Sequence, residues 1–285
     1  MATGPIKEIL KKSKSKKYPD STPYTSISVD NIQSISKHLG LSGREIEIAA
    51  LQQDVVPERY ARNMKSFSLE QQAALLQSQV SVVGLGGLGG AVVEILARAG
   101  IGHLNLIDGD KFEDSNLNRQ FLSICDRINT PKVQAAIERI HDINPSIGVT
   151  IHYEFLDQHN GCRLLEKSDV TVDCLDNINT RFILEKTCRQ IGSPFVSAAV
   201  AGSAGHVTTI FPEDPGLQMI YGDPDKAPAR GAEATLGTVP YTVTLLAALQ
   251  TAEVIKIIQK KNELLRNKLL IVDLEAALFQ VMDLN

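Results

Sequence analysis

One run, Val80 to Gln120, constrains this chain more than any other. Val80–Val83 is a short apolar stretch of the kind a buried parallel strand needs. Gly84, Gly86 and Gly89 follow as G-x-G-x-x-G, and Leu88, Ala91, Val92, Ile95, Leu96 and Ala99 then recur at helical spacing. A strand, a tight glycine turn and a helix start direct backbone N–H groups and the positive end of a helix dipole at phosphate. Asp108 closes a second apolar strand, where a carboxylate can accept hydrogen bonds from a ribose. Those features alone specify a nucleotide site, and NAD is its first candidate.

The residues that follow argue for different chemistry. Asp110, Asn116, Asn118, Arg119 and Gln120 come next, then Lys132 just past Thr130-Pro131. Hydride transfer has no use for so many cations and amides beside the phosphates. A departing pyrophosphate does, because charge builds on its oxygens as the bond breaks.

Around this run the periodicity alternates. Strands are expected at 79–83, 104–108, 149–153, 169–173 and 194–199, with helices at 68–78, 87–99, 131–142, 160–167 and 178–191 between them. That alternation predicts an α/β fold with a doubly wound, Rossmann-like parallel sheet. Gly205–Phe211, Leu269–Asp273 and Ala277–Met282 read as antiparallel strands that extend it, flanking a long helix from about Thr242 to Lys261. Residues 213–236, rich in Pro, Gly and Asp, read as a mobile loop or crossover. Three divisions follow: a disordered basic tail over 1–25, a small helical module over 26–57, and a nucleotide-binding domain over 58–285. The tail carries KKSKSKK (Lys11–Lys17) without apolar spacing. In the module, Ile32, Ile35 and Leu39 precede Gly40-Leu41-Ser42-Gly43 in the manner of a helix-turn-helix. Its second helix, with one Arg, two Glu and one Asp, is too acidic for DNA, so a packing role is expected.

Beyond the glycine turn, an ordered set of motifs carries a family likeness. RYARN (Arg59–Asn63), VVGLGGLGG, LIDGD, SNLNRQ, TPKVQAA, VDCLDN (Val172–Asn177), Arg181, AGSAGHV and LQTAEVIK (Leu249–Lys256) succeed one another. In these the chain resembles the MoeB, ThiF and HesA group, relatives of ubiquitin-activating enzymes. The likeness runs from about Arg59 to Leu284. It implies that ATP adenylates the C-terminal carboxylate of a small ubiquitin-like sulfur-carrier protein ending in Gly-Gly, with release of pyrophosphate. A carboxylate is ionised at neutral pH, so such a reaction needs alignment and charge stabilisation rather than a general base. The resemblance assigns Gly84, Gly86 and Gly89 to close approach of the nucleotide, Asp108 to the ribose, and Asp110 to the same nucleotide loop. It gives Asn116, Arg119 and Lys132 to the phosphates and Asp176 to Mg²⁺, with Asp173 as the competing carboxylate. It further implies a homodimer in which Arg62 reaches the neighbouring subunit's site. The same ATP site could instead activate a small molecule or a tRNA base, and an NAD-dependent oxidoreductase would share the glycine turn and Asp108.

The four cysteines, Cys125, Cys162, Cys174 and Cys188, form no C-x-x-C, and none follows Cys188. No zinc is therefore expected, and a thiol step in the region Ala227–Tyr241 is put in doubt. Cys174 reads as a small buried hydrophobe. A net charge of −4 gives no general call for nucleic acid. No apolar stretch is read as reaching the roughly 18 residues that span a membrane, and no secretory segment is read at the start. The expectation is a cytoplasmic protein with no membrane partner.

Overall fold

The computed structural model describes residues 4–228 and 231–284. Its first unit corrects the reading of the N-terminus. Residues 1–3 lie outside the described residues, but 4–25 are not a disordered arm. Helix α1 (Gly4–Lys12) and the antiparallel hairpin β1 (Lys14–Lys17) and β2 (Pro23–Ile27) precede α2 (Val29–Leu39), α3 (Gly43–Leu51) and β3 (Val55–Pro57). The strands pair in the order β1-β2-β3, so the module is mixed rather than purely helical. Ile9 supplies the missing reason for order: it is fully buried with Ile27, Ile32, Ile35 and Ile46, while the β1 lysines project into solvent. Ser28 caps α2, Gly40 ends it in the left-handed region, and a Ser42–Glu45 capping box opens α3.

After α4 (Leu69–Gln77) come β4 (Gln79–Val83), α5 (Gly87–Ala99), β5 (His103–Ile107), α6 (Lys132–Ile143), β6 (Gly148–His152), α7 (Gly161–Leu164), β7 (Val170–Asp173), α8 (Ile178–Ile191), β8 (Phe195–Ala201) and β9 (Ala204–Ile210). The short helices α9 (Gln218–Tyr221) and α10 (Glu233–Leu236) lie where a mobile loop is expected; α11 (Pro240–Ile258), β10 (Lys268–Asp273) and β11 (Leu278–Asp283) complete the chain. The eight-stranded sheet runs β11-β10-β9-β8-β7-β4-β5-β6. Strands β4 to β8 are mutually parallel and β9 to β11 antiparallel, the mixed Rossmann-like sheet the periodicity predicts. One face packs against α5, α6 and α11, the other against α7 and α8, so the sheet is wound on both sides.

A second correction concerns α11. With 19 residues it is long and apolar enough to cross a membrane by length and composition, contrary to the reading that no stretch is. In the fold it is a core helix. Leu246, Ala247 and Val254 are buried against the sheet and α5, and its buried Glu253 accepts hydrogen bonds from Thr209 Oγ1 (2.7 Å) and the Leu265 amide (2.8 Å).

Candidate active site

The parallel strands leave a crevice where the chain order reverses, between β4 and β7, and a cavity of about 720 Å³ opens there at their carboxyl ends. Its size suits a nucleotide, since small-molecule pockets span about 300–1,000 Å³. The glycine turn forms its floor. Gly84 has φ of +90°, and a Cβ there would stand 2.6 Å from the Cys174 carbonyl oxygen. Gly86 and Gly87 line the cavity at the start of α5, which no side chain caps, so its first amides are available to an anion. Gly89 acts differently from the nucleotide-approach role expected of it. It is not in the cavity wall; a Cβ there would fall 1.8 Å from the Gly84 carbonyl, so its bareness lets helix and turn pack together.

Asp108 ends β5 with its carboxylate accepting from the amides of Leu85 (2.6 Å) and Asp110 (2.7 Å). Burial raises its carboxyl above the usual range, and the neighbouring Lys132 draws it back. Lys132 opens α6, is only 7% exposed, and places Nζ 3.1 Å from Asp110 Oδ2 while its backbone amide donates to the Asp110 carbonyl. Arg119 lines the cavity and is steadied by the Ser115 carbonyl (3.1 Å) and Asn118 Oδ1 (2.8 Å). Beside it Gln120 is 6% exposed and its Oε1 has no hydrogen-bond partner among the described residues, a buried amide facing the cavity over Gly86. Asn116, expected on the phosphates, is not in the wall. It is buried in the loop, where its Oδ1 accepts from the Glu113 amide (3.1 Å) and closes a turn.

The two aspartates of the DCLD segment have separate fates. Asp173 is fully buried, takes hydrogen bonds from Arg181 Nη1 (3.0 Å), Ser197 Oγ (2.6 Å) and the Leu175 amide (3.0 Å), and is pushed up by burial. Arg181 also donates to the carbonyls of Ala198 and Leu175, so the pair ties α8 to β7 and β8. Asp176 is exposed, lines the cavity, and has no ion-pair or side-chain hydrogen-bond partner among the described residues. Cys174 lies between them, buried, its thiol held well above the ordinary range by desolvation, as suits a packing residue. Arg62 is exposed and does not line this chain's own cavity.

Several wall residues escaped the motif reading. Glu154, Phe155 and Leu156 enter from the segment after β6, Thr180 and Arg181 from α8, and Glu233, Ala234 and Thr238 from α10 and its exit. Sequence spacing carries no signal for these loops, because the sheet order brings distant segments to one edge; Arg181 alone among them belongs to the family motif set.

A glycine turn, a buried lysine, an arginine and an exposed aspartate surround one nucleotide-sized cavity, a lining suited to a phosphate-bearing nucleotide. The chain belongs to the ThiF family, whose model matches residues 60–285. It is 34% identical over 221 residues to the SAMP-activating enzyme E1 of Haloferax volcanii, covering 76% of this chain and 81% of that one. It is likewise 34% identical over 225 residues to the vegetative protein HesA of Trichormus variabilis, covering 78% and 83%. Adenylyltransferase and sulfurtransferase MOCS3 of Drosophila sechellia is 33% identical over 228 residues, but the match spans only 50% of that longer protein. Among solved structures, E. coli MccB with ATP superposes with a TM-score of 0.70 at 21% identity, covering 99% of this chain and 86% of MccB. PaaA gives 0.67 at 24% identity, covering 80% and 82%. These likenesses show the fold. The family sets aside the NAD-dependent alternative.

Proposed function

We propose that this enzyme adenylates the C-terminal carboxylate of a small ubiquitin-like sulfur-carrier protein ending in Gly-Gly. One carboxylate oxygen attacks the α-phosphorus of ATP, the bond to the bridging oxygen of the β-phosphate breaks, and pyrophosphate leaves; no proton has to move. The observation that carries this reading is the composition of the cavity. Arg119 and Lys132 supply positive charge beside the glycine turn, and no histidine or serine stands among the described wall residues to act as base or nucleophile. Arg119 and Lys132 offset the charge that grows on pyrophosphate, and the α5 amides hold the phosphates in line. Asp176 fits a hard cation such as Mg²⁺, being an unpartnered carboxylate at the cavity. Bound there, the ion would neutralise phosphate charge. The homodimer, with Arg62 given to the neighbouring cavity, belongs to the same proposal, as does the absence of structural zinc.

A second reading has an observation of its own. The likeness to MccB extends over 99% of this chain, N-terminal module included, and MccB has been solved together with MccA. Under it the acceptor carboxylate belongs to a polypeptide other than a ubiquitin-like carrier. Exchange of labelled pyrophosphate into ATP separates the two. Exchange that requires Mg²⁺ and a Gly-Gly-ended carrier supports the first, and exchange with a different polypeptide supports the second. Exchange equally fast without any acceptor discards both.

A further inference from the structure

An aromatic ring stands at the rim of the nucleotide cavity without structural employment. Phe155, just past β6, is 66% exposed and belongs to none of the apolar clusters of the core. Its surroundings nevertheless fix it. The ring lies against Gly109, where a Cβ would stand 2.8 Å from three ring atoms. Gly109 has no positive φ, so its backbone does not demand glycine; the room taken by the ring does.

The loop beneath is tied by short-range hydrogen bonds. Asn160 Nδ2 donates to the Phe155 carbonyl (2.8 Å), and Asn160 Oδ1 accepts from the Asp157 amide (2.8 Å). Asp157 Oδ1 in turn accepts from the amides of His159 (2.7 Å) and Asn160 (2.9 Å). On the other side Glu154 is held by Arg163 at 2.7 Å. An exposed phenyl ring on a mobile loop is ordinary. A phenyl ring held exposed on a hydrogen-bonded loop, seated on a glycine adjoining Asp108, and lining the cavity is placed for a ligand.

We propose that Phe155 is the stacking platform for the base of the bound nucleotide. Gly109 supports the ring from behind, and the ring thereby helps select adenine nucleotide over the bare phosphate chain. The proposal rests on the reading of this cavity as the ATP site. Stacking uses the face of the base, so it needs no hydrogen-bonding partner for the base edge.

The test is direct binding of ATP and of base-free tripolyphosphate to the full chain, by calorimetry. Base–aromatic stacking of the usual strength corresponds to about 5- to 140-fold in affinity. Phe155→Ala should therefore weaken ATP by that factor and leave tripolyphosphate unchanged, and Phe155→Tyr should restore ATP binding. The chain contains no tryptophan, so Phe155→Trp adds a single indole whose fluorescence should be quenched by ATP and not by tripolyphosphate. Wild-type affinity for ATP in Phe155→Ala would overturn the proposal, and so would equal loss of both ligands, which would mark a loop residue only. If the wild-type chain itself bound no ATP, the reading of the cavity would fall and this proposal with it, an outcome distinct from either.

Discussion

Asp173→Asn and Asp176→Asn remove one charge each from positions three residues apart, yet they should damage different properties. Asp173 is 0% exposed and Arg181 only 4%, with the guanidinium nitrogen 3.0 Å from the carboxylate and little solvent to screen the pair. Arginine does not shed its proton, so neutralising Asp173 leaves a buried, uncompensated cation. Breaking a buried pair from one side costs about 3–5 kcal/mol. For 285 residues the unfolding entropy near the midpoint is about 0.6 kcal/mol/K, so Asp173→Asn should lower Tm by about 5–8 °C. Asp176 is exposed and without a partner among the described residues, and removing its charge should move Tm by less than about 1 °C, as for surface substitutions within about 0.5 kcal/mol. Circular dichroism melts of both variants in nucleotide-free buffer, paired with pyrophosphate exchange at a temperature where both remain folded, make the comparison. Asp176→Asn should lose exchange while keeping its melt. Equal melts for the two variants would refute the division of labour drawn between them. So would an Asp176→Asn chain that exchanges at the wild-type rate.

Arg119→Ala and Lys132→Ala should each lower exchange by about a hundred- to a thousand-fold, as for loss of one charge-stabilising donor, with ATP binding weakened less than turnover. His206 on β9 sits beside Tyr221 (Nε2 to the hydroxyl, 3.3 Å) and under the influence of Arg181, and burial lowers its pKa to about 4. A depressed histidine pKa means the unfolded chain takes up the proton first on acidification. The stability contributed by neutral His206 is thus whole above about pH 6.5 and falls towards pH 4, by about 3 kcal/mol; urea unfolding across that range should show the loss, and His206→Gln should flatten it. Arg62→Ala and Asp176→Asn chains should each be nearly inactive alone. Mixed in equal amounts after dissociation, they should recover about a quarter of wild-type exchange, since half the dimers then hold one site with both residues. No recovery despite proven subunit exchange would remove Arg62 from the neighbouring site.

What the sequence displays well is whatever is local. The strand–glycine–helix passage, Asp108 at the end of β5 and Lys132 at the start of α6 each sit within one element, so periodicity and motif spacing reveal them. Roles that depend on what lies opposite are hidden. Gly89 matches the nucleotide fingerprint but faces the Gly84 carbonyl, and Asn116 matches a phosphate motif but closes its own turn. Phe155 and Glu233 reach the cavity only because β6 and the segment before α11 come to the same edge of the sheet. The N-terminal strands are not legible in the sequence, because KKSKSKK has no apolar alternation. Their order comes from ladder pairing to β2 and from the single buried Ile9.

The placement of Arg62 follows from a buried carboxylate some distance away in sequence. Glu47 of α3 is wholly enclosed, and burial raises its carboxyl, which makes its partners indispensable. Those partners join the module to the main sheet domain. Arg59 Nε lies 3.3 Å away, the Tyr60 hydroxyl donates to it at 3.2 Å, and Ser146 Oγ at 3.0 Å. Asn144 donates to the same Tyr60 hydroxyl at 2.8 Å, and Gly100 is bare where a Cβ would stand 2.7 Å from the Tyr60 ring. Arg59 and Tyr60 are thus both drawn inward by one anchor, and the segment cannot swing without leaving Glu47 uncompensated. Two residues on from Tyr60, Arg62 is exposed to solvent. It does not line its own chain's cavity. Exposure outside its own cavity is what the proposed role of Arg62 in a neighbouring molecule's site requires, and the Glu47 anchor is what holds the preceding residues in place.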